Sequence, residues 1–211
     1  LVIIAIPVDG TKQVLTGVLN KLDKQVLMDV GSTKGAICRS VAEHEKRGRY
    51  VATHPMWGTE KDGPESVVKD AFKGRVAVIC EKDRTDADAL QLVEELYTGI
   101  GMQLVYMDSD VHDVHAAYVS HISHIASYAL SLTVLEKEKE EDAIFELASG
   151  GFESTVRLAK SNPAMWVPIF QQNKENVLDV LNEHISQLRK IKSCLEKENF
   201  EYLKELIEDA N

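Results

Sequence analysis

Four short clusters hold the residue types from which a reactive site is built. The first is Asp29-Val30-Gly31-Ser32-Thr33-Lys34-Gly35, a strand end, a tight glycine turn and a helix start. Helix-start N–H groups and the Ser32 and Thr33 hydroxyls suit an anionic or hydroxylated ligand in the crevice at the carboxyl ends of strands. The plainer reading is a Ser/Thr cap on a crossover helix. The second, His54-Pro55-Met56-Trp57-Gly58-Thr59-Glu60, again follows a strand. Imidazole titrates near neutrality, so His54 could take a proton from a substrate hydroxyl in the crevice that Ser32 borders. A hydrogen-bonded turn histidine is the competing reading.

The third cluster runs from His112-Asp113-Val114-His115 to Ser120-His121-Ile122-Ser123-His124 and holds two histidine pairs spaced i, i+3. Such pairs share a helix face, which permits zinc. No Cys motif or obvious carboxylate third ligand accompanies them, and no metal is expected. His121 and His124 are expected where this helix meets the preceding part of the chain, lining a polar substrate's pocket. The fourth is Ser149-Gly150-Gly151-Phe152-Glu153-Ser154-Thr155-Val156-Arg157. Gly151 permits close backbone approach, and Arg157 can grip a carboxylate with two parallel hydrogen bonds. Otherwise Arg157 is a surface arginine.

The elements that must position these clusters fall into two kinds. Residues 1–108 alternate β-branched runs with amphipathic stretches, the pattern of a sheet with crossover helices. Strands are predicted at Leu1–Val8, Gln25–Val30, Tyr50–Thr53, Arg75–Cys80 and Gln103–Met107, with helices at Lys12–Leu22, Lys34–Lys46 and Thr85–Ile100. Continuous apolar runs such as Val26-Leu27-Met28 suit strands covered on both faces, as in parallel sheets. From 109 to 211 the periodicity is helical throughout, so the fold class is α/β followed by all-α. The first helix there carries Val114, Tyr118, Ile122, Ile125, Ala129 and Leu132 on one stripe. The run Glu136–Asp142 reads as a solvated helix end. Asn162-Pro163 is a helix start, and the seam from Trp166 to Leu195 is broken only by Pro168, expected to kink the helix or delay its regular start. Faces this long predict a homodimer through the helical domain.

The 211 residues, 44% hydrophobic and 27% charged, describe an ordinary globular chain. A net charge of −10 with no basic patch argues against nucleic acid. No apolar run is long enough for a bilayer, and the opening Leu1–Ile6 lacks the flanks of a signal peptide. Cys38, Cys80 and Cys194 are odd in number and widely spaced, which fits a reducing, cytoplasmic setting. Opening on a buried-strand pattern without Met leads to the expectation that upstream sequence has been removed.

Taken together, the four blocks resemble the prephenate dehydrogenase family. Asp29–Gly35 is similar to its Asp-x-Gly-Ser-x-Lys-Gly turn and His54–Glu60 to its His-Pro-Met-x-Gly-x-Glu segment. His112-Asp113 with Ser120-His121-x-x-His124, then Gly150-Gly151-Phe152, Arg157 and Pro163-x-Met165-Trp166, follow in the family's order. Trp57, Ser123 and Ser154 depart from the common pattern, which bears on gating and specificity more than on reaction class.

The resemblance implies an incomplete Rossmann-like domain, then an all-helical substrate and dimerisation domain. It implies oxidative decarboxylation of prephenate, or of arogenate, with NAD, NADP not being excluded. His54 would take the ring hydroxyl's proton, and Ser32 would orient that hydroxyl and His54. Arg157 would hold a substrate carboxylate, with His121, His124 and Gly151 at the same substrate. Pro7, Ser32 and Thr33 would lie on the nicotinamide side. The family's Gly-x-Gly-x-x-Gly turn does not occur in these residues, so weak dinucleotide binding is expected. The competing readings are a β-hydroxyacid-type dehydrogenase and a non-catalytic dimeric helical module.

Overall fold

The computed structural model describes residues 1–58, 64–139 and 144–211. Thr59 and Glu60, and the end of the Glu136–Asp142 run, lie outside them. Five strands form one sheet in the order β1 (Val2–Ile4), β2 (Leu27–Asp29), β3 (Tyr50–Pro55), β4 (Val76–Cys80) and β5 (Gln103–Met107). The first three run parallel, β4 pairs antiparallel with β3, and β5 runs parallel to β4. The antiparallel step departs from the parallel pattern expected. Among the described residues no α-helix joins β3 to β4, and without a crossover helix the chain returns alongside its neighbour.

Side chains alternate between two cores, as a pleated sheet requires. Leu27, Tyr50, Ala52, Val78 and Cys80 face one core with α1 (Val8–Lys21) and α2 (Gly35–Ser40). Met28, Val51, Ala77 and Ile79 face the other, covered by α3 (Ala87–Gly99) through Ala89, Val93 and Tyr97. Helix α1 buries Val8, Thr11, Leu15 and Leu19, an i, i+3, i+4 stripe, and begins four residues before the predicted Lys12 because Pro7 ends the extended segment as its N-cap. All three cysteines are buried, and desolvation pushes the Cys38 thiol up to about 12 and Cys80 likewise upward.

The helical part comprises α4 (Ser109–Ala116), a π turn (Ala117–His121), α5 (Ile122–Glu138), α6 (Gly150–Val156), α7 (Pro163–Gln172), α8 (Lys174–Glu196) and α9 (Phe200–Asp209). Trp166 and Ile169 of α7 belong to the first sheet core, so the two parts share packing. Asn162 caps α7 by accepting the Ala164 N–H at 2.9 Å, with Pro163 at the first helical position. Pro168 lies inside α7, and the break in the seam falls five residues later at Asn173. Within the monomer the apolar stripe predicted on the first helix is largely exposed at Val114, Tyr118 and Leu132. The buried residues there are Ser109, His112, Asp113, Ala116, Ala117, His121, His124 and Ser127. No helix among the described residues is long and apolar enough to cross a membrane.

Candidate active site

The carboxyl ends of β1, β2 and β3 lie at one edge of the sheet, which gathers Pro7, the Ser32 turn and His54. Beneath them is a closed polar cluster. The fully buried Asp29 pairs with Lys34 Nζ and accepts the Tyr50 hydroxyl at 2.6 Å and the Gly31 N–H at 2.9 Å. Lys34 Nζ also donates to the Thr53 carbonyl at 2.7 Å, and Thr53 Oγ1 donates to the Asp29 carbonyl while taking a bond from Tyr97. These bonds tie the end of β2 to the end of β3. They fix the level at which Ser32 and His54 leave the sheet.

Helix α4 closes over this edge. Asp113 takes the Lys34 N–H at 2.7 Å on Oδ1 and the Gly35 N–H at 2.8 Å on Oδ2, capping α2 from the helical part. His112 Nδ1 stands 2.9 Å from Asp113 Oδ1, and His112 Nε2 stands 2.8 Å from His54 Nδ1. Burial, reinforced by His112, Lys34 and His121, holds the His54 pKa well below the usual imidazole value. His54 is therefore neutral near pH 7, as a proton acceptor must be.

Of the residues singled out in the sequence, Ser32 is half-buried and its hydroxyl has no partner among the described residues. Thr33, beside it, is fully buried and donates to Gln172 Oε1 at 2.8 Å across the junction with α7. Pro7 is exposed and accepts the Thr11 N–H at 3.0 Å. His121 lies at the end of the π turn, 1% exposed under Trp166 and Phe170, with Asn173 Nδ2 at 3.2 Å from its Nδ1. Desolvation lowers its pKa to about 4. His124 stacks on Trp166 with centroids 3.4 Å apart and donates Nδ1–H to the Ser120 carbonyl. Its pKa is lowered by burial, and the Arg157 charge adds to the shift. Arg157 is exposed, in a short turn after α6, close enough for its charge to act on His124. Gly151 is exposed within the first turn of α6, with open space where a side chain would be.

The sequence reading gave no role to His112, Asp113, Gln172 or Asn173. Asn173 bridges the Asp113 carbonyl, at 2.7 Å, and His121. His112 and Asp113 did stand in the third cluster and in the block that resembles the family, but without a task of their own.

A nicotinamide fits what is present at this edge. The unpartnered Ser32 hydroxyl and the exposed Ala5-Ile6-Pro7 turn stand at the carboxyl ends of neighbouring parallel strands, the expected position for such a ring. The arrangement as a whole offers one neutral imidazole, one free hydroxyl and a guanidinium near a second imidazole. A neutral imidazole beside a free hydroxyl is able to take a proton from a bound hydroxyl group.

Known proteins agree in sequence and in shape. Residues 1–106 match the model of the prephenate dehydrogenase nucleotide-binding domain, and residues 108–209 that of its dimerization domain. The chain is 32% identical to a prephenate dehydrogenase of Bacillus subtilis over 206 residues, 96% of this chain and 55% of that protein. It is 27% identical to a cyclohexadienyl dehydrogenase of Zymomonas mobilis, over all of this chain and 72% of that one. It thus spans little more than half the length of the Bacillus relative. The crystal structure of prephenate dehydrogenase from A. aeolicus with hydroxyphenyl propionate and NAD+ superimposes with a TM-score of 0.90 at 30% identity, covering 99% of this chain and 73% of that one. A Synechocystis arogenate dehydrogenase shares the fold, with a TM-score of 0.80 at 21% identity over 99% of this chain and 76% of that one. With both parts matched in order and the sheet and helices superimposed together, the chain belongs to the prephenate dehydrogenase family.

Proposed function

We propose that this chain carries the substrate site of an NAD-dependent prephenate dehydrogenase, NADP remaining the alternative, which converts prephenate to 4-hydroxyphenylpyruvate in tyrosine biosynthesis. Arogenate is the second candidate substrate. The observation that supports the reading most is the environment of His54. Its Nδ1 is engaged by His112, and its other ring nitrogen has no partner among the described residues.

In this mechanism His54 Nε2 takes the proton of the ring hydroxyl as the carbinol hydrogen leaves as hydride. The ring carboxylate departs as CO2, and its bonding pair completes the aromatic ring. When bound, the nicotinamide supplies the hydride acceptor. Ser32 donates to or accepts from the hydroxyl and holds it in line with His54. Arg157 grips a substrate carboxylate, and His121, His124 and Gly151 form the helical wall. Pro7, Ser32 and Thr33 support the cofactor side. Residues 1–108 act as the dinucleotide-binding part and 109–211 as the substrate and dimerisation part. The exposed Leu132, Leu188, Leu195 and Phe200 on helices α5, α8 and α9 support a homodimer.

The test is His54→Asn in the full-length protein. Prephenate-dependent NADH formation should fall by about 10²–10⁴-fold, the usual contribution of a positioned base, with folding intact. Unchanged turnover rejects His54 as the base.

A further inference from the structure

Resting on that reading of His54, we propose that Asp113, acting through His112, is the positioning residue that decides which nitrogen of His54 faces the substrate. The same carboxylate sets the Ser32 turn beside it. Asp113 is almost completely buried and projects from α4 into the sheet edge. Both of its oxygens already accept backbone N–H groups, Lys34 on Oδ1 and Gly35 on Oδ2. A carboxylate committed in this way can only accept, so the His112 nitrogen facing it, Nδ1, must be the one that carries hydrogen.

The consequence passes along the rings. A neutral His112 with hydrogen on Nδ1 has a bare Nε2, and that atom faces His54 Nδ1 at 2.8 Å. His54 must then carry its hydrogen on Nδ1, which leaves Nε2 bare toward the cleft. Only that tautomer can accept a proton from a hydroxyl. Burial first, and then Lys34 of the turn, His112 of α4 and His121 of the π turn, oppose protonation of His54.

The second half of the proposal rests on the turn itself. A side chain at Gly35 would bring a carbon within 3.0 Å of Asp113 Oδ2, so the bare backbone there is what lets the carboxylate seat. Thr33 is pinned to Gln172 from the other side, and Asn173 holds the Asp113 carbonyl. The turn is gripped at 33, 34 and 35, and Ser32 is the residue left unpartnered. Base tautomer and hydroxyl position therefore depend on one carboxylate contributed by the helical part.

The experiment is long-range ¹H–¹⁵N NMR on histidine-labelled full-length protein, with the His54 signals assigned by their loss in His54→Asn. In the wild type, Nδ1 of His54 should be protonated and Nε2 bare. Asp113→Asn can turn its NH2 group toward His112 Nδ1, which reverses the sense of both rings and moves the His54 hydrogen to Nε2. Its kcat should fall by about 10²-fold or more, with KM changed by less than about 3-fold. Should that variant not fold, His112→Phe removes the acceptor while keeping a ring, and His54 should then divide between tautomers with kcat down at least about 10-fold. A hydrogen on Nε2 in the wild type overturns the proposal, as does either variant with an unaltered His54 tautomer and kcat. Because NMR reads the tautomer without turnover, failure of His54 as the base and failure of the relay give different results.

Discussion

Two polar clusters sit within a few residues of each other at the same sheet edge. In the first, Asp29, Lys34, Tyr50 and Thr53 are fully buried and bonded to one another or to backbone. In the second, His54 and Ser32 are half-buried and each keeps an atom without a partner among the described residues. Saturation marks the first as a structural clamp, since a buried charge is tolerated only when paired and hydrogen-bonded. Incompleteness is what supports the proposal that a ligand finishes the bonding of the second. Residue type alone would not separate them, because both contain groups able to move protons.

The sharpest way to break that contrast is Lys34→Met. It leaves the Asp29 carboxylate buried without its cation and should cost about 3–5 kcal/mol in urea denaturation. A loss under about 1 kcal/mol would mean the clamp is not what holds the strand ends. His54→Asn should be the reverse case, with a large loss of rate and a much smaller loss of stability.

Next in size is a pH effect on folding. His121 has a native pKa of about 4 against an ordinary value of 6.5, so below 6.5 the unfolded chain binds a proton that the native chain refuses. Stability is then fully present above pH 6.5 and declines as pH falls toward 4, and the downward shifts at His54 and His124 have the same sign. Denaturant midpoints measured across that window should drop, and His121→Gln should flatten the slope. An equally steep slope in the variant would assign the effect elsewhere.

Thr33→Val tests the junction between the two clusters. Removing the bond to Gln172 should cost about 1 kcal/mol and raise KM more than it lowers kcat, because the Ser32 turn loosens. The smallest effect is expected far from both clusters. Asn199 caps α9 by accepting the Tyr202 N–H at 3.2 Å, and Asn199→Ala should cost about 0.5–1 kcal/mol with kcat unchanged.

Legibility in the sequence followed the same divide. The strands could be read because apolar runs at 26–28 and 76–79 are covered on both faces, and the two cores use alternate residues of those runs. The first helix of the second half read differently. Its apolar stripe identified residues that share a face, but the buried face is the polar one, with His112 and Asp113 against the sheet end and His121 and His124 against α7. Periodicity reports which residues align, and pairing across a junction decides which side is buried. The π turn shifts that alignment midway, and an insertion of this kind has no compositional mark. Gln172 and Asn173 were invisible for another reason. Their partners lie 139 and 60 positions away, and two amides inside a long apolar seam look like its ordinary polar face. His54 and Ser32 were legible because strand ends and glycine turns are local features.

The three enclosed cysteines have a practical consequence. A thiol shut away from solvent reacts with alkylating reagents only when the surrounding structure opens. Cys38 and Cys80 lie in the first sheet core, the one that α7 shares, whereas Cys194 sits near the far end of α8. Modification rates counted at each sulfur by mass spectrometry therefore give this chain two internal clocks, one for separation of the sheet from its helices and one for fraying at the distal end.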